Sequence, residues 1–193
     1  MIEYTEEVTG LLALQLYEAR ACDAIVERVK DVNAWRQARV VERAPDGSIG
    51  PALRPEARRA SAFSANFGPE AGRSFDERMN ALVKPLVKQI WGADLARHEG
   101  TQLIRYVPGE YYGPHTDTGS HLLDRYFSIV CYLNDDFKGG QTDFPHLNYR
   151  VVPRKGKAIV FPSTYLHYAE PVIDGEKYVL VTWLTGDLPV RWI

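Results

Sequence analysis

Cysteine is scarce in this sequence. Only Cys22 and Cys131 occur among 193 residues, and no Cys-x-x-Cys pair is present. This excludes a structural zinc knot built on cysteine pairs. One thiol lies in a helical pattern and the other in a strand pattern, which favours two buried free cysteines in a reducing compartment over a disulfide. We therefore expect a cytoplasmic protein.

The sequence also lacks a basic excess and a long hydrophobic run. Lysine and arginine total 23 against 25 aspartates and glutamates, so the formal net charge is -2. Proteins that bind duplex nucleic acid need a strong basic excess, and we expect no nucleic-acid partner. The apolar run after residue 10 is broken by Gln15, Glu18 and Arg20. It predicts neither a signal peptide nor a membrane span.

The apolar content is sufficient for one full-sized core. Hydrophobic residues make up 45% of the chain, which predicts a single domain over residues 1–193. The character of the sequence changes part-way. We assign residues 1–99 to a helical support and lid region and residues 100–186 to the core of the domain.

Two stretches of the N-terminal half have helical spacing of apolar residues. They are residues 11–31 and 74–91, and each predicts an amphipathic helix. Ser74, with Glu77 three residues on, predicts a capping box at the start of the second helix. Pro85 predicts a kink or interruption there, and Gly92 predicts its end.

An arginine-rich segment over residues 36–73 separates these two helices. It contains several prolines and glycines and seven arginines. Two interpretations stay open: a solvated strand-and-loop segment, or a lid that meets an acidic substrate.

From residue 101 onward the pattern is that of strands. Short runs rich in β-branched and aromatic residues are separated by Gly, Pro, Asn or Asp. The sequence therefore predicts a mainly β protein with supporting helices (α+β), in which helices pack outside an antiparallel sheet that closes on itself.

One polar stretch, "YYGPHTDTG", carries a His-x-Asp pair, His115 and Asp117. A metal site needs a third ligand, and His167 is the best candidate because it follows a strand in apolar and aromatic surroundings. The other histidines, His98, His121 and His146, are expected at the surface. Two histidines and one carboxylate suit Fe(II) and oxygen activation, although zinc can use the same three ligands with water.

Lys177 begins a strand ten residues after His167. Strand alternation places Lys177, Val179, Val181 and Trp183 on one face. A lysine beside two valines and a tryptophan indicates a bound anion, because an unpaired buried ammonium is costly. An exposed lysine at the strand edge remains the alternative. Tyrosines near this set, namely Tyr106, Tyr112 and Tyr132, are suited to hydrogen bonding a carboxylate while their rings pack.

Four stretches, in this order, carry a family resemblance: "LIRYVPGEYYGPHTD", "FSIVCYLND" with "GGQTDF", "VVPRKGKAIVFP", and "LHYAEPVIDGEKYVLVTWL". Together they resemble the prolyl 4-hydroxylase-like Fe(II)/2-oxoglutarate dioxygenases from about residue 100 to residue 186. The resemblance implies a double-stranded β-helix, also called a jelly roll or cupin-like fold. It also implies that His115, Asp117 and His167 bind Fe(II).

Further roles are implied by the same resemblance. Lys177 would pair with the C5 carboxylate of 2-oxoglutarate, with hydroxyls of Tyr106 and Tyr132 nearby. Tyr112 and Trp183 would line the substrate pocket. Arg125 matches a frequent family arginine, whose role we leave open. Because Asp117 is present, hydroxylation is favoured over halogenation.

The implied activity is hydroxylation of an unactivated C–H bond, with 2-oxoglutarate and O2 converted to succinate and CO2. The implied cofactor is Fe(II), with L-ascorbate as an optional reductant. The substrate is peptidyl proline or another amino-acid-like molecule, small or part of a protein. A zinc hydrolase and a non-catalytic jelly-roll binding module are the alternatives. The oligomeric state is not readable from the sequence.

Overall fold

The computed structural model describes residues 2–64, 69–119, 122 and 124–186. Its first half contains helices and strands in alternation: β1 Thr5–Val8, β2 Leu11–Gln15, α1 Ala19–Val29, β3 Trp35–Gln37, β4 Val40–Arg43, β5 Ile49–Ala52, β6 Arg58–Arg59, β7 Ser61–Phe63, α2 Pro69–Arg78, a π-helical turn Met79–Val83 and α3 Lys84–Trp91.

The second half is almost entirely strands: β8 Arg97–His98, β9 Gln102–Tyr106, β10 Tyr111–His115, β11 Arg125–Tyr132, β12 Lys138–Gly139, β13 Thr142–Phe144, β14 Tyr149–Arg150, β15 Lys157–Pro162, β16 His167–Ala169, β17 Val172–Asp174 and β18 Lys177–Thr185. A short 3-10 turn, Pro145–Leu147, separates β13 from β14.

Two antiparallel sheets dominate the described chain. The major sheet has the order β1-β2-β15-β11-β18-β9-β7-β3, with β8 added on β18, and the minor sheet has the order β14-β13-β16-β10-β6. Strands that are neighbours in a sheet are often far apart in sequence, as in β2 with β15. The protein is therefore mainly β with few helices, as the sequence predicts.

Strand alternation gives the major sheet two buried faces. On β11, Ile129 and Cys131 belong to the cluster that also contains the apolar residues of the helices. Val130 and Tyr132 belong to the cluster that faces the minor sheet, together with residues such as Phe144. Because successive side chains point to opposite faces, one strand serves both cores. Both cysteines are free and buried, as predicted.

The predicted helix over residues 11–31 is wrong in its first third. Residues Leu11–Gln15 form β2, which pairs with β15 through Leu12 and Val160 among others. All four apolar residues of this strand are buried, alternating between the two cores. A short apolar run buried on both faces has no period that separates strand from helix. The helix itself begins at Ala19.

The second helical stretch starts earlier than predicted. It begins at Pro69, so Ser74 lies inside α2 and its hydroxyl accepts a hydrogen bond from Arg78 at 2.9 Å. The predicted capping box is therefore wrong. The interruption predicted near Pro85 is present: the π-helical turn Met79–Val83 separates α2 from α3, and Pro85 lies in the first turn of α3. Gly92 ends α3 as predicted, with a left-handed φ of 67° that favours glycine.

The arginine-rich segment forms strands β3 to β7 rather than an open loop. Its β4–β5 hairpin pairs Val40 with Ala52 and Arg43 with Ile49, while β7 joins the major sheet through β9. Among the described residues, no helix is long and apolar enough to cross a membrane.

Candidate metal centre

Strand pairing places the two candidate histidines side by side. His115 ends β10, His167 begins β16, and the two residues are register partners in the minor sheet. Asp117 follows β10, and its backbone N–H donates to the Ser163 carbonyl at 3.0 Å. The predicted triad is therefore assembled by two strand ends and one turn.

The three side chains converge on a single point. One ligand atom from each of His115, Asp117 and His167 lies within 4.8 Å of the others. The His115 Nε2 is 3.5 Å from Asp117 Oδ1, and the His167 Nε2 is 3.5 Å from Asp117 Oδ2. Among the described residues, this is the cluster of His, Cys, Asp or Glu that could hold a metal ion.

The histidine tautomers are set by the backbone. The Nδ1 of His115 lies 2.9 Å from the Gly113 carbonyl, and the Nδ1 of His167 lies 2.9 Å from the Tyr165 carbonyl. A carbonyl only accepts, so each Nδ1 carries the proton and each neutral ring presents an Nε2 lone pair to the cluster. Two such lone pairs facing a carboxylate are a donor set that fits a divalent cation.

The charge states of the cluster suit metal binding. Burial lowers the pKa of His167 to about 4, so the ring is neutral at physiological pH. Burial alone would raise the pKa of Asp117, but His167, His115 and the Ser128 hydroxyl outweigh it and hold the pKa below its usual value. An ionised carboxylate beside neutral imidazoles is the state in which all three groups are ligands.

Ser128 is a functional candidate that the sequence analysis missed. Its hydroxyl donates to Asp117 Oδ2 at 2.6 Å and lies 2.9 Å from the Ser163 hydroxyl, and both serines are fully buried. Its place on the inner face of β11, in alternation with Val130 and Tyr132, was the signal available in the sequence. The bond fixes the orientation of the carboxylate.

We expect Ser128→Ala to weaken metal binding by about 10- to 100-fold, as is usual when the hydrogen-bond partner of a metal ligand is removed. Titration of the metal-free protein with Co(II), followed by absorption, measures this directly. Ser48→Ala, which removes an exposed hydroxyl in the β4–β5 hairpin, is the control. Unchanged Co(II) affinity in Ser128→Ala would show that the carboxylate needs no such partner.

The predicted face of β18 is confirmed. Lys177, Val179, Val181 and Trp183 all line the cavity that contains the His-Asp-His cluster, whose volume is about 570 Å³. The Lys177 side chain is 2% exposed, which excludes the alternative of an exposed edge lysine. One strand thus supplies a cation, two apolar residues and an indole to the same wall.

Lys177 has neutral neighbours. Its ammonium donates to the Gly140 carbonyl at 2.7 Å and lies 4.9 Å and 5.6 Å from the ring centroids of Tyr106 and Tyr132. In the part of the chain that the structure describes, no carboxylate forms an ion pair with it. Burial lowers the pKa of Lys177 to about 7. A cation so placed is suited to receive an anion in the cavity.

The two predicted tyrosines beside Lys177 differ in position. Tyr106 lines the cavity. Tyr132 lies behind the wall, and its hydroxyl donates to Thr142 Oγ1 at 2.7 Å. Thr142 itself lines the cavity, so the hydroxyl of this pair on the cavity side is that of the threonine, which the sequence analysis missed.

The three predicted substrate-pocket residues also line the cavity. Tyr112 stacks on His115 with ring centroids 3.6 Å apart. Arg125 pairs with both carboxylate oxygens of Glu99 and lies 3.7 Å above the Trp183 ring. Because its guanidinium is already paired with Glu99, Arg125 stabilises this wall of the cavity and fixes the position of the Trp183 ring.

Arg58 is a third residue of the site that the sequence analysis did not single out. It lies on β6, beside β10 in the minor sheet, and its guanidinium is 4.6 Å from the Tyr112 ring centroid. The residue is 8% exposed and lines the cavity.

The remaining histidines lie elsewhere: His98 contacts Asp76 at 3.0 Å, His146 is exposed, and His121 lies outside the described residues.

Comparison with known proteins was consistent with this geometry. The model of the 2OG-Fe(II) oxygenase superfamily matches residues 101–185. A protein of Acanthamoeba polyphaga mimivirus named as a prolyl 4-hydroxylase is 31% identical over 129 residues, which cover 54% of this chain and 53% of the viral one. Arabidopsis thaliana prolyl 4-hydroxylase 9 is 26% identical over 196 residues, which cover 86% and 65%.

The fold has solved counterparts as well. The crystal structure of a Pseudomonas putida prolyl-4-hydroxylase superposes with a TM-score of 0.68 at 20% identity, covering 93% of this chain and 94% of that one. The chain spans about half to two thirds of the length of the two curated relatives above. The segment over residues 101–185 thus matches the 2OG-Fe(II) oxygenase superfamily, and the chain resembles prolyl 4-hydroxylases of that superfamily in sequence and in fold.

Proposed function

We propose that this protein is an Fe(II)- and 2-oxoglutarate-dependent dioxygenase that hydroxylates an unactivated C–H bond. The single observation that carries the proposal is the shared cavity of a His-Asp-His cluster and a buried lysine without a carboxylate partner among the described residues. A zinc hydrolase or a simple binding module has no need for that lysine, whereas a dicarboxylate co-substrate explains it.

In this proposal His115, Asp117 and His167 hold Fe(II), and their donor set fits that ion. Bound there, Fe(II) supplies O2 activation coupled to the oxidative decarboxylation of 2-oxoglutarate to succinate and CO2. Two imidazoles and one carboxylate leave coordination positions open for the co-substrate and for oxygen. Ser128 and the two backbone carbonyls keep the three ligands oriented.

The other residues of the cavity orient the two substrates and exclude water. Lys177 pairs with the distal carboxylate of 2-oxoglutarate, with Tyr106 and Thr142 lining the cavity beside it and Tyr132 behind the wall. Val179 and Val181 give the co-substrate an apolar wall. Tyr112 and Trp183 line the space left for the substrate, and Arg125 supports Trp183.

The substrate class follows from the relatives and remains part of the proposal. The relatives compared above are named for prolyl 4-hydroxylation, which supports peptidyl proline or another amino-acid-like substrate.

We further propose that residues 1–193 form one domain, a double-stranded β-helix with its helices outside, which works in the cytoplasm with L-ascorbate as an optional reductant. The apolar residues of the helices pack against one face of the major sheet, which supports that arrangement.

The affinity for 2-oxoglutarate should depend on pH through Lys177. Its pKa, lowered by burial to about 7, means that the ammonium is charged below that pH and progressively neutral above it. Binding of the dianion needs the charged form, so binding above pH 7 must be accompanied by proton uptake. We expect the apparent affinity to fall by up to about tenfold per pH unit above pH 7.

Anaerobic titration of the metal-loaded protein with 2-oxoglutarate between pH 6 and pH 9 measures this dependence. Lys177→Met should bind weakly and show a flat profile over the same range. A wild-type profile that is flat up to pH 9 would mean that Lys177 stays fully charged and that another group controls binding.

The substrate is best sought by a screen for succinate release. Protein purified without oxygen is supplied with Fe(II), 2-oxoglutarate and air, and is tested with amino acids, proline peptides and cell extract. Stimulated succinate with a product heavier by one oxygen supports the proposal. Hydrolysis of a substrate by Zn(II)-loaded protein without 2-oxoglutarate would favour the hydrolase. Tight ligand binding without any succinate would favour a binding module.

A further inference from the structure

We infer that Arg58 is a carboxylate-binding residue of the substrate site, so that the substrate of this enzyme carries a free carboxylate close to the carbon that is oxidised. This inference rests on the proposed function and narrows its substrate class. It distinguishes two classes of candidate substrate that the proposed function alone does not distinguish. One is a free acid or a chain terminus, and the other is an internal residue of a peptide.

The first observation is an unpartnered donor of the Arg58 guanidinium. Its Nη1 donates to the Arg39 carbonyl at 3.2 Å, and the guanidinium also interacts with the Tyr106 hydroxyl. Its Nε is buried and has no hydrogen-bond partner in the structure. The edge of a guanidinium that carries Nε and Nη2 is one of its two edges that can form two parallel hydrogen bonds with a carboxylate. A buried donor left without a partner is costly, so a ligand at that edge is expected.

The second observation is the charge of the cavity wall. Arg125 is paired with Glu99, and Arg54 is paired with Glu42. Glu56, the other glutamate of the wall, lies 3.9 Å from Arg54. Among the described residues, Arg58 and Lys177 are thus the buried cations of the cavity that have no carboxylate beside them.

Charge balance then assigns a second anion. With Fe(II), two neutral histidines, ionised Asp117 and the charged Lys177 and Arg58, the cavity has three positive charges in excess. 2-Oxoglutarate neutralises two of them. Because an uncompensated charge in a buried site is expensive, the remaining charge favours a substrate that brings one carboxylate.

The position of Arg58 connects this carboxylate with the chemistry. The guanidinium lies on one face of the Tyr112 ring, and Tyr112 in turn stacks on the metal-site residue His115. A carboxylate bound to Arg58 would therefore be separated from the metal ligand His115 by about the Tyr112 ring. The oxidised carbon should be only a few bonds from the carboxylate, as in a free amino acid, a small carboxylic acid or the last residue of a peptide.

The test compares each acid with its own amide. Each proteinogenic amino acid is supplied as the free acid, as the primary carboxamide, and as the last or the middle residue of a capped tripeptide. We expect free acids or C-terminal residues to stimulate succinate formation at concentrations about 10- to 100-fold lower than the matched amide or internal residue. The free-acid and tripeptide arms distinguish a small metabolite from a chain terminus.

A second readout needs no turnover. The same compounds are added to protein loaded with Zn(II) and 2-oxoglutarate, and binding is followed as a rise in melting temperature. Arg58→Gln should abolish the preference for acid over amide in both readouts. Arg59→Gln, the neighbouring residue on β6, is exposed and lies outside the cavity wall, so it should keep the preference. Arg58→Lys retains the positive charge but lacks the paired N–H donors of the guanidinium, so it should keep part of the preference for acid over amide.

Several outcomes would overturn the inference. They are equal responses to acids and amides, stimulation by internal residues alone, no response to any carboxylate, or a preference that survives in Arg58→Gln. If Arg58→Gln does not fold, the comparison of acid and amide in the wild type and in Arg58→Lys still decides. Failure of the proposed function itself looks different, because the wild type would then bind no 2-oxoglutarate and form no succinate at all.

Discussion

Asp117→Ala should reduce succinate formation by more than about a hundredfold, because even the loss of an outer partner of a metal ligand commonly costs 10- to 100-fold. The substitution removes the only charged ligand of the cluster and leaves two imidazoles, a ligand set that holds Fe(II) or Co(II) less tightly than the full set of three. Co(II) affinity and succinate release, measured on the same preparation, give the two readouts. Both should fall together.

A matched control excludes a general effect of removing a carboxylate or a histidine. Asp46→Ala and His146→Ala change exposed residues away from the cluster, and both variants should keep wild-type metal affinity and turnover. His115→Ala and His167→Ala should behave like Asp117→Ala. Near-wild-type succinate formation by Asp117→Ala in the presence of Fe(II) would rule out these three residues as the ligands.

Lys177→Met should raise the concentration of 2-oxoglutarate needed for half-maximal turnover by about a hundredfold or more, since truncating one partner of a buried charge pair usually costs 2–5 kcal/mol. Methionine keeps most of the volume and removes the charge. The turnover rate at saturating 2-oxoglutarate should change less than the half-saturating concentration. Steady-state succinate assays over a wide range of 2-oxoglutarate measure both quantities.

The same variant should be more stable than the wild type in the absence of 2-oxoglutarate. The unfolded chain protonates Lys177 near its ordinary pKa, whereas the folded protein does so only below about pH 7. The cost of the buried charge therefore grows as pH falls and is fully present below pH 7. We expect the free energy of unfolding at pH 6 to rise by about 1–3 kcal/mol, after allowing for the Gly140 carbonyl left without its donor.

Opposite changes in stability and affinity separate a co-substrate role from a structural one. A lysine that served only the fold would lose stability on substitution and leave 2-oxoglutarate binding unchanged. Lys138→Met, whose side chain is 76% exposed, should alter neither quantity. Urea unfolding at pH 6 and at pH 9, with and without 2-oxoglutarate, makes the comparison.

The parts of the site that the sequence predicts are those with a local period or a fixed spacing. His115 and Asp117 lie two apart on one chain segment, and Lys177 occupies a strand whose alternation is visible in the sequence. The pairing of His115 with His167 is a long-range contact between strands. Two signals placed the two residues together: the apolar and aromatic surroundings of His167, and the resemblance to a known family. Their convergence in the structure supports that placement.

The parts that the sequence did not predict depend on which way a side chain faces in a short element. Arg58 and Arg59 are adjacent and chemically identical, yet β6 is only two residues long and one of them is buried while the other is exposed. No period exists over two residues. Ser128 and Thr142 are ordinary polar residues until the fold places their hydroxyls beside Asp117 and Tyr132.

The N-terminal region shows that the prediction of helices and strands from local sequence has the same limit. Leu11–Gln15 is apolar enough for either a helix or a buried strand, and its pairing with β15, far along the chain, decides for the strand. Pro85 signals that the helix is interrupted nearby, but it does not indicate that the interruption is a π-helical turn. The strand is fixed by tertiary contacts, which no single window of the sequence contains.

The central claim is tested most directly by an omission experiment on anaerobically purified protein. Fe(II), 2-oxoglutarate and O2 are supplied together or with one left out, and succinate is quantified by mass spectrometry. The proposed function predicts succinate, even in the absence of substrate, when all three are present, and none above background when any one is missing or when Asp117 is alanine. Succinate that forms without Fe(II), or that is absent with all three, would contradict it.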